Sequence, residues 1–214
     1  MPLSRARIAL AAGAALVVGL AATYALTRKD AAQAFAACGA GQVMGGASAI
    51  GGPFTLTNQD GKVVTDKDVL TKPSLVYFGY TSCPDVCPAD VGRNVNAVDI
   101  LEEEYGQDVT PVFITVDPAR DKPEVLKEWA SYMHPKLVGL TGTPDQIRKA
   151  ALAYKVYYKV PDPIPGPEYE VDHTVQTYLM LPGVGFADFY GREATADDIA
   201  KRASCLIEAA AKLK

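Results

Sequence analysis

Histidine and cysteine are scarce in this 214-residue chain, which has two of the first, four of the second and a single tryptophan. Four cysteines over such a length are too few for a disulfide scaffold, so each spacing has to be read on its own. A basic excess is missing too: lysine and arginine number 21 against 25 aspartates and glutamates. Neutralising phosphates requires clustered cations, so this balance argues against nucleic-acid binding. Internal repeats with a period of about 20–50 residues are absent, which excludes solenoid and propeller architectures. The length leaves room for one ordinary domain plus an appendage, on a prior of roughly 100–200 residues per domain.

What is present is unevenly distributed. Up to Ala37 the chain has Arg5, Arg7, Arg28 and Lys29 against Asp30 alone, a net +3 that leaves −7 for residues 38–214. Residues 8–26 contain no charge, and at about 1.5 Å per residue a helix of that length just crosses a ~30 Å hydrocarbon core. The stretch reads as a membrane anchor behind a short tail (residues 1–7). A cleaved secretory signal is the competing reading, with Ala34-Phe35-Ala36 as a late cleavage site. The uncleaved anchor is favoured because the run exceeds the usual 7–15-residue apolar core of a signal and Arg28-Lys29 follow it directly. Either reading exports the rest of the chain. Residues 27–52 read as a flexible tether, because 38–52 are small, Gly-rich and without period.

The remainder, residues 53–214, has enough Val, Ile, Leu, Tyr and Phe for a substantial core. Phe54-Thr55-Leu56-Thr57 and Val63-Val64-Thr65 flank a turn cluster ending in Gly61, the pattern of a β-hairpin. Ser74–Tyr80 is a short, β-rich apolar run expected to be a buried parallel strand. A helical pattern follows through Tyr105, with Val91, Val95, Val98 and Leu101 on one face. Then come a strand over 109–116, a helix near 123–133, a short strand near 137–141 and a helix near 144–154. A Pro-rich loop (Pro161, Pro163, Pro165, Pro167), strands over 174–181 and 186–190 and a closing helix from Thr195 complete the chain. This order predicts an α/β fold: a thioredoxin-like mixed sheet flanked by helices, with an N-terminal hairpin, a loop insertion and a single N-terminal transmembrane helix.

Cys83 and Cys87 follow a buried strand and open a helix, so both thiols are placed at the carboxyl edge of the sheet, where open α/β sheets present ligand sites. Helix N-terminal amides favour negative charge, and the thiols are expected to be held partly as thiolates. A four-residue offset brings the side chains onto one side of a turn, about 5–6 Å apart at Cβ. The pair could form a disulfide or share a metal, and the three-residue gap leaves room for an ion between the sulfurs. Two sulfurs make an incomplete site. Of the two histidines, His173 starts a predicted strand that a thioredoxin-like sheet places near the cysteines. Two thiolates and an imidazole suit Cu(I), and the set can also hold Cu(II) if water or a carboxylate completes it. Zinc is the alternative metal, although a structural zinc normally needs a fourth protein ligand.

Phe78 to Pro88 (FGYTSCPDVCP), Val116 to Asp121 (VDPARD) and Asp172-His173-Thr174 together resemble the Sco/SenC family of membrane-anchored copper chaperones. The likeness covers roughly residues 50–210, with three motifs in order. It implies a thioredoxin-like fold, copper held by Cys83, Cys87 and His173, and a role in building the CuA centre of cytochrome c oxidase. It also implies that the thiol pair, as a redox pair, reduces the target's cysteines. The implied partners are the CuA-bearing subunit and another copper chaperone or a thiol reductant. The implied place is the inner membrane, with the domain in the periplasm or an equivalent oxidising compartment. A periplasmic thiol-disulfide oxidoreductase and a copper or redox sensor are the rival functions.

Bland roles compete for several residues. The Cys83/Cys87 pair could be a structural disulfide. Asp85 caps the helix or supports the metal ligands from behind, and Asp172 orients His173 or sits at a strand edge. Asp117, Arg120 and Asp121 are expected to shape the loop after their strand. His134 reads as a solvated helix cap and Trp129 as packing, and Met44 and Met180 read as tether or gap-filling residues rather than copper contacts. Cys38 and Cys205 suggest a bridge between tether and closing helix, the alternative for Cys205 being a small buried apolar residue.

Overall fold

The structure, a computed structural model, describes residues 33–41, 49–164, 166 and 168–212. A seven-stranded sheet runs in the order β2-β1-β5-β4-β3-β8-β9. Its strands are β1 (Thr55–Asn58), β2 (Val63–Thr65), β3 (Ser74–Gly79), β4 (Thr110–Thr115), β5 (Val138–Thr141), β8 (Thr177–Leu181) and β9 (Gly185–Tyr190). β3, β4 and β5 are parallel, while β1, β8 and their outer neighbours are antiparallel. This mixed sheet with flanking helices is a thioredoxin-like arrangement. Every residue of β3 is buried, as befits a parallel strand covered on both faces.

Helix α1 (Asp66–Val69) is a single turn that composition did not announce; the longer helices are α2 (Val86–Tyr105), α3 (Pro123–Met133), α4 (Pro144–Ala153) and α5 (Ala196–Ala211). The successive crossovers β3-α2-β4 and β4-α3-β5 step along the sheet in one direction, and right-handed connection puts both helices on one face. On that face the Tyr77 hydroxyl meets Asp90 of α2, Tyr77 stacks on its register partner Phe113, and Phe113 packs on Trp129 of α3. Phe78 points the other way, onto Tyr154 just past α4. Gly106 ends α2 at φ 63°, a left-handed cap that only glycine adopts without strain. Thr143 and Thr195 begin α4 and α5 with reciprocal capping boxes to Gln146 and Asp198.

Three expectations need correction. The strand predicted over 174–181 is interrupted: His173 lies on a separate two-residue strand, β7 (Asp172–His173), which pairs with β6 (Tyr158–Lys159) and not with the main sheet. Residues 33–41, assigned by composition to a loose tether, are docked on the domain. Residues 33–37 are helical, Phe35 is buried among Leu179, Ile199 and Leu206, and the Gly41 amide donates to Asp188 at 2.8 Å. Cys38 and Cys205 form the suggested bridge, with Cα atoms 5.7 Å apart. A window average of small residues hides one aromatic anchor and one cross-link, and these are enough to dock a segment. Third, His134 is a cap but not a solvated one. Its ring is largely buried, with Nε2 at 3.0 Å from Asp99 of α2 and Nδ1 accepting from the Lys136 amide.

Among the described residues no helix is long and apolar enough to cross a membrane. The stretch 8–26, read as a span, and Met44 lie outside them.

Candidate metal centre

The site is assembled at the carboxyl end of β3. The chain leaves Gly79, turns through Tyr80 to Asp85, and enters α2 with Cys87 in its first turn. β8 runs antiparallel to β3 with Thr177 opposite Tyr77, so the segment just before β8 returns to the same edge. That geometry, rather than sequence proximity, delivers His173 to the cysteines.

Ligating atoms of Cys83, Cys87 and His173 all lie within 4.8 Å of one another, and among the described residues this is the one such group of three found. Both cysteines are free thiols and buried, so both sulfurs are available as ligands. The Cys87 amide donates to Cys83 Sγ at 3.3 Å, and Cys87 Sγ lies 3.3 Å from His173 Nε2. His173 Nδ1 is 3.0 Å from the Thr174 carbonyl. A carbonyl only accepts, so Nδ1 carries the proton and Nε2 presents its lone pair to the thiols. Burial lowers the His173 pKa below its ordinary value, which keeps the ring neutral and able to ligate.

Burial pushes the Cys87 thiol well up, and the backbone at Tyr80 opposes it only in part. The thiolate character expected from the helix N-terminus is therefore overridden at Cys87 by desolvation. In the metal-free protein this thiol is protonated and donates to Nε2; a bound cation would displace that proton.

The surroundings are aromatic and tightly shaped. The rings of Tyr77 and Tyr80 meet that of His173 at 89° and 86°, with centroids at 6.2 and 5.8 Å. The Tyr77 hydroxyl donates to buried Asp90 at 3.0 Å, and Asp90 in turn faces Arg93 at 3.2 Å and Arg192 at 3.6 Å. A Cβ on Gly79 would stand 2.9 Å from Cys87 Sγ and 2.8 Å from the Tyr77 ring, so glycine makes the room in which the sulfur sits. Beneath the cysteine loop, buried Asp121 accepts from the Thr81 amide at 3.0 Å and from the hydroxyls of Thr81 and Thr115.

Cys83, Cys87 and His173 are thus brought together, and the two supporting carboxylates are not. Asp85 occupies the N-cap position of α2, is exposed, and makes no side-chain cap bond. Asp172 is exposed on β7 opposite Lys159; the orienting contact on His173 comes from the Thr174 carbonyl. Met180 packs near Gly51 in the main core. Sequence reasoning missed Gly79, Tyr77, Tyr80 and Asp90. Tyr77 and Gly79 stand in the strand leading into the cysteines and Tyr80 follows it directly, where a small residue beside two aromatics was the available signal.

The family model described as SCO1/SenC matches residues 42–208. The chain is 54% identical to Protein SenC of Rhodobacter capsulatus over 212 residues, covering 98% of this chain and 94% of that one. It spans about half the length of the mitochondrial SCO proteins of Arabidopsis thaliana and Saccharomyces cerevisiae that it matches. Among solved structures, the copper-bound ScoI of Arabidopsis thaliana superposes with a TM-score of 0.70 at 42% identity, covering 75% of this chain and 99% of that one. BsSco, described with a disulfide switch as a member of the Sco family of cytochrome c oxidase assembly proteins, gives 0.58 at 30% identity, covering 77% and 98%.

Proposed function

The chain belongs to the SCO1/SenC family, and from that premise we propose that it is a copper-binding chaperone of cytochrome c oxidase assembly. Its cargo is held by Cys83, Cys87 and His173. Residues 8–26 anchor it in the inner membrane, and the domain works in the periplasm or an equivalent oxidising compartment. The observation that carries this reading is the closure of a Cys₂His set by His173, whose Nε2 faces Cys87 Sγ at 3.3 Å. Two soft sulfurs and one imidazole match the preference of Cu(I); Cu(II) would take a further ligand from water or a carboxylate.

The action follows from the donor set. On loading, the thiols give up their protons and the two sulfurs and Nε2 replace the donor's ligands. Transfer is ligand exchange, in which cysteines and histidines of the oxidase's CuA-bearing subunit displace these three in turn. Oxidation of the pair, with two electrons and two protons passing to an acceptor disulfide, would join Cys83 to Cys87 and close the site to metal. Loading therefore depends on an upstream thiol reductant or copper donor.

The free, adjacent thiols also support a second reading, in which the pair reduces the CuA cysteines themselves. Disulfide exchange does not use an imidazole, and copper retention does. His173→Ala is therefore expected to weaken copper binding strongly while sparing reduction of a model disulfide. If copper binding and oxidase maturation both survived that change, the chaperone reading would be wrong. A sensor, by contrast, would leave oxidase copper content intact on deletion and alter gene expression instead.

A further inference from the structure

The motif Val116 to Asp121 contributes no ligand, yet one of its side chains joins both halves of the site. The Arg120 guanidinium carbon lies over the Tyr169 ring, 3.6 Å from its centroid, and the guanidinium donates to the Tyr169 carbonyl at 2.9 Å. Its Nε pairs with Asp117, which is 1% exposed, and the Tyr169 hydroxyl donates to the other oxygen of that carboxylate at 2.9 Å. The same guanidinium reaches the Tyr80 ring at 5.5 Å. Tyr80 carries the turn into Cys83, whose amide donates to the Tyr80 carbonyl at 3.3 Å, and its ring packs at 86° to that of His173.

Tyr169 closes the Pro-rich loop four residues before His173. On the other side of the histidine, Thr174 is tied to Tyr157 by two hydrogen bonds, the Thr174 amide to the Tyr157 carbonyl and the Tyr157 amide to Thr174 Oγ1. β7 is only two residues long and pairs with a strand of the same length, too little ladder to hold a ligand by itself. Position must come from the ends, and the N-terminal end is held through Arg120.

We propose that Arg120 is a positioning residue for the third ligand: through Tyr169, Asp117 and Tyr80 it aligns the His173 segment with the cysteine turn, so that Nε2 meets the sulfurs. A planar guanidinium suits the task, since it can stack on one ring, pair with a carboxylate and donate to a carbonyl at once, where an ammonium is a point charge. The inference rests on the copper site described above.

The test uses the full-length protein in detergent, reduced, with Cu(I) affinity measured by competition against a chromophoric chelator. The sulfur-to-copper absorption of the Cu(II) form supplies a spectroscopic signature. Arg120→Met is expected to weaken Cu(I) binding by about tenfold to a hundredfold, the range for residues that orient ligands, and to shift that absorption. In the double variant Arg120→Met/His173→Ala the affinity should equal that of His173→Ala alone, because Arg120 acts only through the histidine. Arg120→Lys, which keeps a charge beside Asp117, should restore the melting temperature but not the affinity, and it serves as the test if Arg120→Met fails to fold. Unchanged affinity in Arg120→Met, losses that multiply in the double variant, or recovery of affinity by lysine would each overturn the assignment. If His173→Ala itself left copper binding intact, the copper-site reading would fall instead, and the two failures are distinguishable.

Discussion

Cys87 Sγ and His173 Nε2, 86 residues apart in the chain, meet at 3.3 Å. The contact pairs a thiol kept protonated by burial with an imidazole kept neutral by burial. Each is the form that a metal must deprotonate or can bind directly, so the two groups hold one another's hydrogen bond until a cation replaces the thiol proton.

This has a pH consequence. Burial raises the Cys87 thiol above its ordinary value of 9.0, so its contribution to stability is complete below that value. It is lost as the pH rises toward the folded-state value, because the unfolded chain ionises first. Urea unfolding of the reduced, metal-free protein should show stability falling above about pH 9, and Cys87→Ala should flatten the fall between pH 9 and 10. An identical slope in the variant would show that the thiol is not desolvated as described.

Gly79→Ala should disturb the metal site from behind. The new Cβ would press on Cys87 Sγ and on the rings of Tyr77 and Phe113 at 2.8–3.0 Å, and rigid rings give little. A destabilisation of about 1–3 kcal/mol is expected from such overpacking, with weakened copper binding. Calorimetry and chelator competition on the same sample check both, and a variant with native affinity would mean that the sulfur has room to move.

Asp121→Ala removes the acceptor shared by Thr81 and Thr115. A buried donor left without a partner costs about 1–3 kcal/mol, and Thr81 stands two residues before Cys83. The melting temperature should fall and copper affinity with it. Loss of stability with unaltered affinity would assign the carboxylate to the loop alone.

Replacing Cys38 and Cys205 by serine should cost about 2–4 kcal/mol, since the bridge restricts the unfolded chain across a separation of 167 residues. Limited proteolysis should then cut within residues 33–41, which are protected in the bridged protein by Phe35 and the Gly41–Asp188 bond. Copper binding should be unaffected, because the docked segment packs on α5 and on outermost β9, with β8 standing between β9 and β3. Unchanged proteolysis would show that the docked segment is held by packing without the bridge.

Much of the fold was legible. Parallel strands β3 and β4 and helices α2 to α5 stand where apolar runs and periodicity put them, since a strand buried on both faces and an amphipathic helix each write their period into the chain. Cys83 and Cys87 were legible for a similarly local reason: they stand four positions apart at one strand-to-helix junction. His173 could be selected because histidine is scarce, although its own two-residue ribbon could not be foreseen from a window that ran smoothly into β8. The roles of Arg120, Asp121 and Gly79 were hidden. Arg120 acts on a residue 49 positions away and Asp121 on one 40 away, and Gly79 matters through the Cβ it lacks.

The amino-acid sequence by itself determined the layered α/β architecture, the thiol pair at a strand-to-helix edge and the chemistry such a pair can perform, because these follow from patterns within one element or one turn. The tertiary structure decided which residues complete and hold the site. Antiparallel β8 returns His173 to the end of β3, the Thr174 carbonyl sets its tautomer, and desolvation reverses the acidity that a helix N-terminus alone would have conferred on Cys87. Those effects depend on distances and burial between segments far apart in the chain, and folding alone sets them.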